Sequence, residues 1–261
     1  MRTFERLPTG LEESAPGFEL PGGAYTTLRT YAGTRVMRLD EHVRRLQDTA
    51  RLQGHEAPLE AAVVRTALAE ALERTGHGES RVRLTWAPPR LFVAVEPFTP
   101  PAGALYRDGV RCVTVAVRRD NPHAKDTRFI DTAGRAYAAL PAGVHEGLMA
   151  AEDGTILEGL SSNFFALRGG ALYTEEDRVL PGLTRSLVLE VARLPRAPRG
   201  LRVEELPSAD ECFVTSASRG VLPVIAVDEV SIGAGTPGPL TTAIREAFDA
   251  AVAREAADVR A

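Results

Sequence analysis

The chain has 261 residues, 44% of them apolar and 25% charged, with a formal net charge of −4. That is enough chain for one large core or two smaller ones, and its mild acidity leaves no electrostatic footprint for nucleic acid or an anionic membrane. No apolar run approaches the ~20 residues that span a bilayer, and the opening MRTFERLPTGLEESAPGF lacks the apolar core of a secretory signal.

Residues 22–39, GGAYTTLRTYAGTRVMRL, read as two short strands around Ala32-Gly33, a hairpin. Asp40 is expected to cap the helix EHVRRLQDTARLQG, with Val43, Leu46 and Ala50 along one face and Gly54 as its stop. Residues 58–76, PLEAAVVRTALAEALERTG, have the pattern of a second amphipathic helix ending at Gly76. SRVRLTWAP, RLFVAVEPF and VRCVTVAVRR follow as strands. Strands, two helices and strands again predict a small α+β domain over residues 1–119.

DNPHA, residues 120–124, is expected to be a linker, because Asn-Pro marks a turn. A larger α/β domain is expected over 125–261. It opens on a helix, TRFIDTAGRAYAAL, and continues with hairpins turning at Asp153-Gly154 and Gly169-Gly170. LPGLTRSLVLEVARL is a turn into a helix, ECFVTSASRGVLPVIAVDEV is two strands around a polar turn, and TPGPLTTAIREAFDAAVARE is a closing helix. The last few residues are expected to be disordered. Cys112 and Cys212 lie far apart without metal-ligand spacing, as reduced thiols of a cytoplasmic protein do. No metal is expected.

Of the 31 lysines and arginines, Lys125 is the single lysine. Drift toward arginine is tolerated wherever only a positive charge is needed. It fails where the amine must lose its proton, because arginine stays protonated and lysine does not have to. Lys125 is therefore either a chance survivor at a surface site or a nucleophile and general base.

Six segments bear on that choice. They are GAYTTLRTYAG with Tyr25, RLDEHVRRL with Arg45, AKDTRFID with Lys125, ILEGLSSNFFAL with Glu158, LPGLTRSLVLEV with Thr184, and ECFVTSASRGVLPV with Ser216. In this order they resemble the motifs of the fold-type IV pyridoxal-phosphate (PLP) enzymes. These are the class IV aminotransferases: branched-chain and D-amino-acid aminotransferases and aminodeoxychorismate lyases. The resemblance runs from about Gly22 to Val230. It implies a two-domain α+β fold like that of D-amino-acid aminotransferase, PLP as cofactor, and a homodimer.

The resemblance also implies roles. Lys125 would hold PLP as a Schiff base and later move the substrate proton. Arg45 would bind the phosphate, for which a planar guanidinium fork is well shaped. Glu158 would pair with the pyridine nitrogen and keep it protonated. Ser162 and Asn163 would support the ring. Leu183 and Thr184 open a helix whose N-terminus suits a phosphate, with Thr184 able to cap it. Ser216 and Ala217 would offer backbone amides to the same phosphate. Tyr25 would border the substrate pocket, with Arg90 or Arg83, and Arg219, as substrate contacts. Three positions depart from the family pattern: Thr26 replaces a usual glutamate, Leu160 a small residue and Ala217 a frequent threonine.

Transamination of an amino acid with a 2-oxo acid is the expected activity. The alternative is the aminodeoxychorismate lyase reaction, which releases pyruvate and leaves p-aminobenzoate. Against the lyase, LTWAPPRLF puts Trp86 where the lyase segment carries its first arginine. A non-catalytic PLP-binding or interaction protein is an alternative of another class; the joint presence of Lys125, Glu158 and Arg45 argues against it.

Overall fold

A computed structural model describes residues 1–261 as two units. The first comprises Met1–Pro100, Ala124–Phe129 and Val252–Ala261; the second comprises Pro101–His123 and Ile130–Ala251.

The first unit holds strands β1 (Arg2–Leu7), β2 (Gly10–Glu13), β3 (Ala24–Tyr31) and β4 (Arg35–Val36), then helices α1 (Leu39–Leu52) and α2 (Ala61–Thr75). Strands β5 (Ser80–Ala87) and β6 (Arg90–Pro97) complete it. The strands form one sheet in the order β4-β3-β5-β6-β1-β2, with the C-terminal pair Ala257–Asp258 added outside β4. Along β3 the residues alternate. Ala24, Thr26, Leu28 and Thr30 are buried, while Tyr25, Thr27, Arg29 and Tyr31 are half-buried on the opposite face. The period of two sends the first set toward the core that α1 and α2 help to build. Strand pairing places Tyr25, Arg83 and Arg90 on the other face of the sheet.

Two local expectations change, and one hairpin is new. Helix α1 begins at Leu39, after Arg38 in the left-handed region at φ 46°, so Asp40 sits in the first turn and not at the cap. Its carboxylate there still complements the positive end of the helix. The N-terminal hairpin β1–β2 has no strong alternation in the sequence, yet β1 pairs along β6 from Arg2 to Arg6. The C-terminal residues are ordered: Val259 is buried and its N–H donates to the Thr34 carbonyl at 3.1 Å.

The second unit holds α3 (Gly103–Asp108), β7 (Val110–Val115) and most of α4 (Arg128–Ala138). Strands β8 (Val144–Ala150), β9 (Ile156–Gly159), β10 (Asn163–Arg168) and β11 (Ala171–Tyr173) follow. Then come α5 (Leu183–Val191), β12 (Glu211–Ser216), β13 (Gly220–Val227), β14 (Val230–Ser231) and α6 (Pro239–Glu255). The sheet order is β11-β10-β12-β13-β7-β8-β9, and β9 pairs back onto β10. Six strands therefore close into a small barrel, sealed by the single pair Asn163↔Glu158. Strands β10 and β12 are buried along almost their whole length, as strands covered on both faces are.

β7 is a barrel strand, parallel to both β13 and β8. Its position in the chain had grouped it with the strands of the first sheet. No helix is long and apolar enough to cross a membrane.

Candidate active site

In the first unit, the residues around Lys125 are strapped onto the start of β3. The Tyr25 N–H donates to the Lys125 carbonyl at 2.9 Å, and the Thr127 N–H donates to the Gly23 carbonyl at 3.0 Å. The Thr127 hydroxyl oxygen accepts from the Gly23 N–H at 2.9 Å, and Thr49 Oγ1 on α1 accepts from the Lys125 N–H at 3.1 Å. Asp126 is held by Gln53 Nε2 at 2.8 Å and by the Arg128 guanidinium at 2.6 and 2.8 Å. Burial alone would push the Asp126 carboxyl up; the bonds from Arg128 and Gln53 outweigh it and hold the carboxyl low. The backbone of the lysine is thus fixed from both sides while its side chain is half-buried. Lys125 Nζ lies 4.9 Å from the centroid of the Tyr25 ring. That is within the range of a favourable cation–π contact.

The face of α1 nearest this strap carries His42, Arg45 and Thr49, one turn apart each. Arg45 is half-buried. His42 is buried, and its Nδ1 is 2.6 Å from the Thr26 hydroxyl. Burial, then Arg45 and Lys125, push the His42 pKa down to about 3, so the ring is neutral. Thr26 points to the core side of β3, away from Tyr25. A threonine there replaces a charged group by a neutral partner for a neutral histidine.

Arg90 is exposed and bidentate to Glu5, at 2.6 and 2.7 Å. Its fork is already engaged. Arg83 is half-buried on the same face, and Trp86 is a core residue at 5% exposure.

In the second unit, Glu158 and Asn163 meet where the barrel closes. Glu158 Oε1 accepts from Arg119 Nε at 3.0 Å; Oε2 accepts from Asn163 Nδ2 at 3.3 Å and from the Leu180 N–H at 3.2 Å. The Arg119 and Glu158 side chains are 7% and 4% exposed. Asn163 also donates to the Leu180 carbonyl at 2.9 Å. This places Asn163 against the start of α5, where a Cβ on Gly182 would lie 2.0 Å from Asn163 Oδ1. Glycine is required there by close approach. Gly182 is also the N-cap of α5, with no side-chain capping bond. Leu183 and Thr184 are the first two helical residues, so Thr184 is inside the helix and not its cap. A cavity of about 380 Å³ reaches Arg119 and Glu158, lined also by Arg118, Met149, Leu157 and Arg178.

Leu160 is buried and donates its N–H to the Gly147 carbonyl at 2.9 Å. A Cβ on Gly147 would lie 2.9 Å from Leu160 Cδ1. The larger residue at 160 is accommodated by the absent side chain at 147.

Sequence reasoning missed Glu146. It is fully buried and gathers Arg219, Tyr137, Ser161 and Ser162. Arg219 Nη2 is 2.8 Å from Glu146 Oε2, and Ser162 Oγ donates to the same oxygen at 2.8 Å. Arg219 Nε also donates to Ser216 Oγ at 3.0 Å, and its Nη2 to Ser161 Oγ at 2.7 Å. Ser216, Ala217 and Arg219 share the β12–β13 turn, so the ion pair ties that turn to the Ser161–Ser162 segment. Burial would lower the Arg219 pKa, but Glu146 outweighs it and raises it. Burial and then Glu146 push the Tyr137 hydroxyl up, so it stays a donor. No spacing in the sequence signals this cluster, because its members lie at 137, 146, 161, 162 and 219.

The family model described as amino-transferase class IV matches residues 23–227. The D-alanine aminotransferase of Bacillus licheniformis is 27% identical over 276 residues, covering 98% of this chain and 96% of that protein. The aminodeoxychorismate lyase of Bacillus subtilis strain 168 is 26% identical over 276 residues, covering 94% and 90%. Among solved structures, the branched-chain aminotransferase of the thermophilic archaeon Thermoproteus uzoniensis with norvaline superimposes with a TM-score of 0.84. It is 24% identical and covers 99% of this chain and 99% of that one. That likeness shows the fold, the two-domain α+β architecture of fold-type IV expected from the sequence.

Proposed function

The chain belongs to the class IV aminotransferases, which are PLP-dependent enzymes, and from that premise we propose that it moves an amino group between an amino acid and a 2-oxo acid using the residues described above. The observation that carries the assignment is Lys125: the single lysine of the chain, its backbone strapped to β3 and its amine against the Tyr25 ring.

Features of each unit fit PLP. The uncapped start of α5 at Gly182 leaves helix N–H groups and a positive dipole end for a phosphate. By resemblance, the β12–β13 turn at Ser216 and Ala217 and, in the first unit, the guanidinium of Arg45 are each candidates for a phosphate contact. Glu158 is a buried carboxylate with an arginine and two neutral donors on it, a fit for a protonated ring nitrogen. Asn163 holds that carboxylate and the Leu180 carbonyl, while Ser162, one residue away, donates to Glu146.

Bound PLP supplies an electron sink for the negative charge left when a substrate loses its α-proton. Lys125 would hold the cofactor, and its amine, when free, would be the group that moves the substrate α-proton. Neutral His42 adds no positive charge beside Arg45 and Lys125. Tyr25 borders the substrate. Arg90 and Arg219 already carry carboxylates, Glu5 and Glu146, so each is a weaker candidate for a substrate carboxylate than Arg83. Trp86, in the core where the lyase segment has an arginine, favours transamination over the lyase reaction.

A homodimer and a cytoplasmic setting belong to the proposal. The first rests on family likeness, the second on two buried cysteines that form no disulfide. Light scattering on the purified chain tests the dimer.

The purified protein is expected to absorb visible light and to be labelled at Lys125 after borohydride reduction. It is then given 2-oxoglutarate with an amino-acid panel that includes D-alanine and branched-chain amino acids, and in parallel aminodeoxychorismate. Glutamate formation supports the assignment. A protein that takes up no PLP, or p-aminobenzoate formed without glutamate, overturns it.

A further inference from the structure

At the barrel closure Glu158 has contacts besides its buried pair with Arg119. Asn163 and the Leu180 N–H already hold one oxygen of Glu158, and the strand pairing Asn163↔Glu158 is made by backbone. Arg119 comes from outside the strands, beyond the end of β7, and puts Nε on the other oxygen at 3.0 Å. Both side chains are nearly out of water, where a charge is felt strongly by its neighbours.

With Glu158 taken, as proposed above, to meet the ring nitrogen of PLP, we propose that Arg119 is a positioning residue that sets how tightly Glu158 holds the proton on that nitrogen. A carboxylate that shares its charge with a guanidinium is a weaker acceptor for a second cation. Two cations facing one carboxylate also repel each other. Arg119 therefore moderates the electron sink: the ring nitrogen stays protonated, but less tightly than against Glu158 alone. The other charged groups near Glu158 do not duplicate this. Arg185, on α5, acts on Glu158 at longer range and is engaged with the Glu175 carbonyl at 2.9 Å and with Glu176 at 3.8 Å. Arg118 and Arg178, in the same cavity, pair with Glu152 and with Asp153 and Glu175.

The side chains suggest a clean test. In Arg119→Gln, Nε2 of glutamine stands the same number of bonds from the backbone as Nε of arginine. The donor to Glu158 is kept and the charge is lost. Arg119→Lys keeps the charge and loses the fork. Holoenzyme is prepared with PLP labelled with ¹⁵N in the ring, and the ring-nitrogen NMR shift is followed against pH in the wild type, both variants and Glu158→Gln. The pH at which the ring nitrogen loses its proton is expected to rise by about one unit in Arg119→Gln, to stay near the wild-type value in Arg119→Lys, and to fall in Glu158→Gln. If Glu158→Gln lowers the titration and Arg119→Gln leaves it unmoved, the role given to Arg119 is overturned. The same holds if the lysine variant moves as far as the glutamine one. If Glu158→Gln itself changes nothing, Glu158 does not meet the ring nitrogen, and the assignment of Glu158 fails with the inference built on it.

Discussion

The surroundings of Lys125 and of the buried carboxylates Glu146 and Glu158 are built on opposite electrostatic plans. Around Lys125 stand the Tyr25 ring, the neutral His42–Thr26 pair and the cation Arg45. Around Glu146 and Glu158 stand Arg219 and Arg119, with hydroxyl and amide donors on the remaining lone pairs. His42 beside Arg45 and Lys125 is held neutral, so it adds no charge there, while each buried carboxylate is met by a guanidinium and by neutral donors. One region is arranged around a single amine and a neutral histidine, the other around arginine–carboxylate pairs.

The largest test of that contrast is Lys125→Arg. The charge and most of the volume remain, but the proton can no longer leave. Turnover is expected to drop on the order of 10³-fold or more, with the fold unchanged by circular dichroism. Retained turnover would remove the amine from the chemistry.

Arg219→Met probes the other plan. It leaves the fully buried Glu146 with only neutral donors, and breaking a buried pair from one side costs about 3–5 kcal/mol. Urea denaturation should show that loss, and adding Glu146→Leu to the same chain should recover part of it. A variant as stable as the wild type would mean that the Arg219–Glu146 pair does not stabilise the fold.

His42 gives the contrast a pH dependence. Its folded-state pKa of about 3 lies below the ordinary 6.5, so the unfolded chain binds a proton that the native state refuses. Its contribution to stability is complete above pH 6.5 and is lost as pH falls from there toward 3. The slope is up to about 1.4 kcal/mol per pH unit. His42→Gln keeps a polar partner for Thr26 and should flatten this part of the stability profile. An unchanged profile would show that His42 is not held neutral.

Gly182→Ala is expected to have the smallest effect on stability, about 1–2 kcal/mol, because Asn163 must yield to the new Cβ. It should also loosen PLP retention, measured by dialysis, by displacing Asn163 from Glu158. Unaltered retention would separate Asn163 from the cofactor.

Much of this was legible without coordinates. The hairpins turning at Asp153-Gly154 and Gly169-Gly170, the helix stop at Gly76, and α5 after Pro181-Gly182 follow from local turn and cap chemistry. Glu158 and Asn163 were legible as site residues because they share one short motif, with four residues between them. Glu146 was not, because a buried carboxylate looks like any surface carboxylate until its partners are known. Arg90 and Arg219 were legible as arginines, but not as arginines committed to Glu5 and Glu146. The β1–β2 hairpin was missed because RTFERL and GLEE bury few of their residues.

By itself the sequence determined the local elements, the family, and the oddity of one lysine among arginines. Those depend on residues close together in the chain and on the order of motifs. Only the tertiary structure decided that β7 joins the barrel, that the barrel closes on Asn163 and Glu158, that His42 is neutral, and which arginines meet which carboxylates. These depend on burial and on how separate segments meet, and no local period or spacing encodes that.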